Sequence, residues 1–267
     1  MPPSARHDAW QAGDSYEAYM GRWSRPIAAR FLDWLGLPGG LDWLDLGCGT
    51  GALTQAILRQ SDPAGVLAID PSEGFIATAR RALDDPRVEF RLGDAAALAT
   101  LPEASRDAAV AGLSLNFIPD RVAALREMRR IVQPGGTVAF YVWDYPGGGM
   151  GFMRAFWDAA AALDPAARDL TENRRFPFCT REGLAALARD AGLEPEVIAM
   201  ESPSVFRNFD DFWHPFTLGA GPAPGYCMSL SPDARERLRA RLSETLPRQA
   251  DGSIALGTRA WAVRARV

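Results

Sequence analysis

Short apolar runs alternate with helical stripes through the first half of the chain. Residues 41–46 form a compact apolar run that ends in glycines, and residues 66–70 form a second. Residues 87–92 alternate as a strand does, which places Val88, Phe90 and Leu92 on one face. Residues 107–112 are a fourth run. A fifth spans 137–143, with Val138, Phe140 and Val142 alternating against Ala139 and Tyr141. Helical patterns lie between them. Ser24-Arg25-Pro26 reads as an N-cap and an early proline ahead of Ile27, Phe31 and Leu35 on one stripe. Asp120 reads as the cap of a helix that turns Val122, Leu125, Met128 and Val132 inward, and Pro134-Gly135-Gly136 stops it.

A strand–helix rhythm of this kind predicts an α/β fold: a mostly parallel, Rossmann-like sheet with helices on both faces. The second half is less regular. Residues 146–149 break the pattern, 152–163 and 181–191 read as helices, and 196–200 reads as a sixth strand. Ser231-Pro232 starts a helix with Leu238, Leu242 and Leu246 on one stripe, and 259–267 alternates as a closing strand. No repeat or long linker divides the chain. The expected organisation is one domain over 1–267: an N-terminal lid and first helix (1–40), a cofactor-binding core (41–143), a substrate cap built from insertions and strand six (144–230), and a last helix and strand (231–267).

Composition narrows the partners. Hydrophobic residues make up 48% of the 267 residues, which is enough for a large core. The net charge is −4, without the basic excess of a duplex nucleic-acid binder. Every basic side chain other than histidine is arginine, so no lysine is present for Schiff-base chemistry. Arg235, Arg237, Arg239 and Arg241 follow this bias. The three cysteines, Cys48, Cys179 and Cys227, are too few and scattered for a disulfide framework, which points to a reduced, cytoplasmic setting. No stretch reaches the roughly 18 apolar residues that span a bilayer, and residues 1–14 lack a signal-peptide core.

The strongest chemical signal is Asp45-Leu46-Gly47-Cys48-Gly49-Thr50-Gly51. Glycines at alternate positions let the backbone take φ > 0 and let a ligand approach closely, and the next helix offers free N–H groups in its first turn. The spacing G-x-G-x-G, followed by Ala52, leaves a dinucleotide open alongside an adenosyl cofactor. Asp45 weighs against pyrophosphate, because a carboxylate before the turn suits a cationic ligand. Asp70 ends the second run, where an acid accepts bonds from ribose hydroxyls in either cofactor class. Gly93-Asp94-Ala95 follows the third, where a carboxylate and a backbone N–H suit an adenine edge.

These motifs, with Ala68-Ile69-Asp70-Pro71-Ser72, Leu113-Ser114-Leu115-Asn116-Phe117-Ile118-Pro119-Asp120 and Val132-Gln133-Pro134-Gly135-Gly136, resemble those of the class I S-adenosylmethionine-dependent methyltransferases. The likeness is to the small-molecule type that includes the quinone-biosynthesis enzymes, and it covers residues 15 to 143. It implies a seven-stranded sheet whose last strand is antiparallel, and S-adenosyl-L-methionine as cofactor. It implies Asp45, Gly47 and Gly49 around the methionyl group with Leu113 beside it, Asp70 at the ribose, Asp94 and Ala95 at the adenine, and Pro71 among the cofactor-binding residues. Residues 15–23 resemble the family's lid helix. Tyr16, Tyr19 and Met20 share a helical face to cover the cofactor, and Arg22 would meet its carboxylate. The alternative for this segment is an ordinary core-packing helix start.

The acceptor side is less defined. Trp143, Asp144 and Tyr145 end the fifth strand at the carboxyl edge where ligands bind, and Phe156 and Trp213 fall in aromatic-rich segments, so all five are candidate pocket residues. His214, one of two histidines, is the candidate general base. Cys48 reads as a small side chain within the turn, and no metal cluster is expected. The segment Gly112-Leu113-Ser114-Leu115 stands where base-amino methyltransferases carry an Asn/Asp-Pro-Pro-aromatic motif, and no Pro-Cys pair exists. The expected partner is therefore a small, partly apolar or aromatic metabolite, with neither nucleic acid nor membrane. Two rival readings stand beside methyl transfer: a non-catalytic S-adenosylmethionine-binding module, and a dinucleotide-dependent oxidoreductase.

Overall fold

The computed structural model describes residues 20–219 and 221–267. Seven strands form one sheet in the order β3-β2-β1-β4-β5-β7-β6: β1 (Asp42–Leu46), β2 (Gly65–Asp70), β3 (Val88–Leu92), β4 (Arg106–Gly112), β5 (Val132–Trp143), β6 (Glu196–Phe206) and β7 (Ile254–Arg266). β1 to β5 pair in parallel, and β7 runs antiparallel to both β5 and β6. The sheet is the Rossmann-like, seven-stranded, mostly parallel one expected, with the last strand reversed. The helices are α1 (Arg22–Leu35), α2 (Ala52–Gln60), α3 (Glu73–Ala82), α4 (Arg121–Ile131), α5 (Gly151–Leu163), α6 (Glu172–Arg175), α7 (Arg181–Asp190), α8 (Phe209–Trp213), α9 (Pro222–Ser229) and α10 (Pro232–Thr245).

The central strands read as continuous apolar runs because both sheet faces are covered. Ala108 to Ala111 of β4 are fully buried, and every residue of β5 from Thr137 to Trp143 is buried. The alternation in 137–143 therefore separates two covered faces and not an inside from an outside. Edge position reverses one expectation on β3: Phe90 is buried, but Leu92, at the outer strand's end, is 54% exposed. β5 and β6 are longer than their apolar runs, since β5 reaches back to Val132 and β6 on to Phe206.

Helix ends follow local chemistry in most places. Asp120 accepts from the Ala123 N–H at 2.9 Å and Ser231 from the Ala234 N–H at 3.3 Å, and both cap their helices. The first helix departs from its expected start. Ser24 lies inside α1, where its hydroxyl donates to the Met20 carbonyl at 3.0 Å, and Gly21 takes the N-cap position without a side-chain bond. Ser24 bonds backward because the turn before it is already helical. On this helix Phe31 is fully buried with its ring 4.7 Å from that of Tyr141, a burial that stabilises by about 2–3 kcal/mol. Among the described residues no helix is long and apolar enough to cross a membrane.

The strand order changes direction at β1: the chain moves outward through β2 and β3, then returns to β4 on the other side. In open α/β sheets a crevice forms outside the carboxyl ends of the strands at such a point.

Candidate active site

A cavity of about 1130 Å³ lies there. Its wall takes Gly47 to Thr50 from the end of β1, Asp70 to Phe75 after β2, Asp94 to Ala96 after β3, Leu113 and Ser114 after β4, and Trp143 and Tyr145 after β5.

The turn after β1 is held by backbone. Gly47 and Cys48 donate their N–H groups to the Ile69 carbonyl at 2.7 and 3.0 Å, which ties the end of β1 to β2. Gly47 has φ +73°, and a Cβ there would run into the Ser114 side chain. Ser114 has no room to retreat, because its hydroxyl donates to the Leu46 carbonyl at 2.8 Å. Gly49 has φ +56°, and a Cβ there would meet nothing within 4 Å, so the backbone lies open for a ligand to rest against it. Leu113, also on the wall, holds φ +58° while its N–H donates to the Tyr141 carbonyl at 2.8 Å. A non-glycine residue in that region costs about 1–3 kcal/mol, and such outliers cluster where a ligand is gripped.

Two carboxylates differ in what surrounds them. Asp70 accepts from the Gly49 N–H at 2.9 Å with one oxygen and from the Ser72 N–H at 2.8 Å with the other, so it braces the turn as well as facing the cavity. Burial raises its pKa against the pull of those two bonds. Asp45 is fully buried behind the turn and does not reach the cavity wall. Burial pushes its pKa up to about 7, the Thr54 hydroxyl lowers it through a 2.7 Å bond, and the charge of Asp70 raises it. Its Oδ1 has no hydrogen-bond partner. Asp94 is exposed at the rim, where it accepts from the Ala96 N–H at 2.9 Å. Cys48 is buried with its thiol pKa raised well above normal by burial, so it stays protonated and unreactive.

The structure thus brings Met20, Gly47, Gly49, Asp70, Pro71, Asp94, Ala95, Leu113 and Trp143 to one wall. Other expected site residues lie elsewhere. Arg22 forms a fork to Asp211, with bonds of 3.0 and 3.2 Å, and its guanidinium sits 4.3 Å from the Trp23 ring and 4.7 Å from the Phe206 ring. It ties α1 to α8 and is absent from the wall. Asp144 is buried but paired with Arg259 at 2.5 Å, which turns it to the β7 side. Phe156 is fully buried and stacks on Phe216 at 4.4 Å, and Trp213 packs at the edge of the same ring cluster, so both belong to the core. His214 is exposed and outside the cavity. Tyr16 and Tyr19 lie outside the described residues.

Tyr145, expected at this edge of the sheet, is on the far wall, but sequence reasoning missed the rest of it. Phe117, Met153, Glu172, Arg175 and Phe176 complete the lining. Phe176 gathers the group, with Phe117 at 5.2 Å and Tyr145 at 5.3 Å. No spacing signals these residues, because they come from three separate segments joined only in the fold. A buried acid in an otherwise irregular stretch is the one hint Glu172 gives. Cys179 and Cys227, both buried, are free thiols. Among the described residues no group of acids, histidines and cysteines is placed to hold a metal.

The sheet, its reversed last strand and the glycine turn at the switch point define the class I, S-adenosylmethionine-dependent methyltransferase fold. Residues 44–140 match the family described as methyltransferase domain. Two curated relatives are similar over part of their length. The 2-phytyl-1,4-naphtoquinone methyltransferase of Thermosynechococcus vestitus is 38% identical over 43% of this chain and 52% of its own. The trans-aconitate 2-methyltransferase of Methylobacterium nodulans is 33% identical over 51% of this chain and 50% of its own. The chain spans about half the length of the curated relatives it matches. Phosphoethanolamine N-methyltransferase 2 of Haemonchus contortus, solved with S-adenosyl-L-methionine, shares the fold at a TM-score of 0.59 and 17% identity, over 96% of this chain and 57% of that one.

Proposed function

We propose that the chain transfers a methyl group from S-adenosyl-L-methionine to a small, partly apolar or aromatic metabolite. The observation that carries this reading is the continuity of one cavity from the glycine turn to a wall of aromatic rings. The residues present fit the cofactor. Backbone is open at Gly49, and carboxylates stand at the ends of β2 and β3. Gly47 and Gly49 would hold the methionyl part with Leu113 beside it, Asp70 and Pro71 the ribose, and Asp94 and Ala95 the adenine, with Met20 closing over them. When bound, the cofactor supplies a methyl group already made electrophilic by its sulfonium.

The chain's own part is alignment and exclusion of water. Asp70 fixes the turn through Gly49, so the surface against which the ligand rests is set before it arrives. Trp143, Tyr145, Met153 and Phe176 offer an apolar bed on which a flat acceptor is held close to the methionyl side. The relative named for a phytyl-naphthoquinone supports an acceptor of this character. With three buried free thiols the protein suits a reducing compartment, and we place it in the cytoplasm. Titration calorimetry tests the reading: S-adenosylhomocysteine binds and NAD(P)H does not. The reverse result defeats it in favour of a dinucleotide enzyme. Cofactor binding without methyl transfer to any of a panel of phenols, quinols and amines would leave only a binding module.

A further inference from the structure

One charged clasp at the end of β5 carries the acceptor side of the cavity. Asp144 stands between Trp143 and Tyr145, two residues of the wall, and its own side chain is 3% exposed. The Tyr145 N–H donates to the Trp143 carbonyl at 2.9 Å, so the chain turns at Asp144. Arg259 of β7 grips one oxygen of the Asp144 carboxylate with Nε at 2.6 Å and Nη2 at 2.5 Å. The Gly147 N–H donates to the other oxygen at 2.9 Å. Backbone bonds close the same clasp. The Asp144 N–H donates to the Arg259 carbonyl at 3.0 Å, the Arg259 N–H to the Gly149 carbonyl at 2.6 Å, and the Gly149 N–H to the Asp144 carbonyl at 2.7 Å. Glycine admits this winding: a Cβ at Gly147 would strike the Asp144 carboxylate, and one at Gly149 would lie 2.6 Å from the Arg259 carbonyl. The glycine run that breaks the strand–helix pattern is therefore a loop wound around one carboxylate. Its exit is fixed as well, by a bridge from Met150 to Thr258 of β7. α5 starts at the next residue and carries Met153, a third wall residue, in its first turn.

We propose that Asp144 and Arg259 are positioning residues for the acceptor: their ion pair holds Trp143, Tyr145 and Met153 in the arrangement that binds a flat ring, and it takes no part in holding the cofactor. The proposal rests on the methyltransferase reading for which part of the cavity receives the acceptor. The two partners are unequal. The Arg259 side chain is 34% exposed and can be hydrated without its partner. Asp144 is withdrawn from water, and a buried carboxylate is costly once its donors are removed. The loop is thus bound to follow the guanidinium. A charged fork of this kind fixes direction as well as distance, which is what a wall built from side chains requires. The glycine turn after β1 is braced by its own bonds to Asp70 and Ile69, so loosening the clasp leaves the cofactor side in place.

The test uses 2-naphthol as the acceptor probe, titrated by calorimetry into the protein both alone and loaded with S-adenosylhomocysteine. Asp144→Asn keeps the shape of the side chain and an oxygen for the Gly147 N–H, and it removes the charge that Arg259 grips. It should weaken 2-naphthol about tenfold, while S-adenosylhomocysteine affinity changes by less than about threefold. Arg259→Gln should cost at least as much, because it leaves the buried carboxylate unpaired. The double variant should lose no more than Arg259→Gln alone, since either change opens the same clasp. A role in the scaffold alone would move both ligands together or neither. Equal losses for the two ligands therefore overturn the proposal, as does unchanged 2-naphthol affinity in a folded Asp144→Asn. Fully additive losses in the double variant overturn it too, and so does a parent protein that binds no 2-naphthol up to about 1 mM. If Asp144→Asn does not fold, Arg259→Gln decides. Failure of both to fold overturns the proposal, because the pair then serves the fold as a whole. If S-adenosylhomocysteine does not bind the parent, the cofactor reading fails, and the 2-naphthol losses on the unloaded protein still judge the clasp.

Discussion

At the glycine turn the cavity wall is backbone, and at the Phe176 end it is side chain. The first region is made by residues that are neighbours in sequence or lie at the tips of adjacent parallel strands: Gly47, Gly49, Asp70 and Leu113 are locked by bonds to Ile69, Ser72 and Tyr141. The second is made by rings from three separate segments, brought together by packing alone. A backbone wall presents the same N–H and C=O groups whatever the surrounding side chains, so it suits one invariant ligand. A side-chain wall changes shape with each substitution, so it suits selectivity. The two walls should therefore fail in different ways when altered.

The largest effect is expected at Gly47. Gly47→Ala drives a Cβ into Ser114 and strains φ +73°, so the tip of β1 must move away from β4. S-adenosylhomocysteine affinity should fall by about a hundredfold, with a stability loss of about 1–3 kcal/mol in urea unfolding. Asp70→Ala should follow closely. It removes the acceptor of both the Gly49 and Ser72 N–H groups, so it loosens the turn as well as deleting the proposed ribose contact. Calorimetry should read a loss of about 10–100-fold in cofactor affinity. An unchanged affinity in either variant would mean that the backbone wall is not where the cofactor rests.

The same contrast explains which parts were legible in the sequence. The strands and the glycine turn were readable because their determinants are local: an apolar run, a φ > 0 requirement, an acid at a strand end. Asp120 and Ser231 announced their helices for the same reason. Phe176 and Glu172 were invisible because their roles depend on partners far along the chain. Phe156 and Trp213 misled for the converse reason, since an aromatic stripe looks the same whether it faces a pocket or Phe216. Arg22 was misplaced because Asp211, its partner, lies 189 positions away.

Asp45 offers a way to sharpen the account of the backbone wall through pH. Its carboxyl binds a proton more tightly in the native state, with a pKa of about 7 caused first by burial, than in the unfolded chain near 3.8. Between those values the native state holds more protons, so the stability of the cofactor-free protein should fall as pH rises from about 4 to about 7 and then level off. Asp70, also raised, adds to the same slope. Asp45→Asn should flatten most of the slope and leave the variant a few kcal/mol more stable than the parent at pH 8. A parent stability that climbs steadily from pH 4 to pH 7 would contradict the burial of Asp45.

Arg22 probes the seam between the regions. Burial raises the Asp211 pKa, but the Arg22 fork and the Arg207 N–H outweigh it and hold the carboxyl below its ordinary value. Arg22→Ala should cost about 1 kcal/mol of stability through the lost pair and ring contacts. Cofactor affinity should change by less than about threefold, because the guanidinium is turned to α8 and away from the cavity. A loss of about tenfold would return Arg22 to the cofactor's carboxylate.

The smallest effect belongs to His214. Its neighbours in sequence, Phe212, Trp213, Pro215 and Phe216, are all buried, and the turn that buries them leaves the one polar ring facing out. That is what a helical turn does with a single hydrophilic residue in an apolar stretch: four side chains enter the core and the fifth covers its edge. An imidazole outside the cavity has no path to the proton of a bound acceptor, since a base must reach its proton directly or through one water. His214→Asn should therefore leave methyl-transfer turnover within about twofold at every pH tested. If turnover instead fell sharply, the ring cluster of α8 would have to open toward the cavity during the reaction. The far wall would then be a moving part and not a fixed bed.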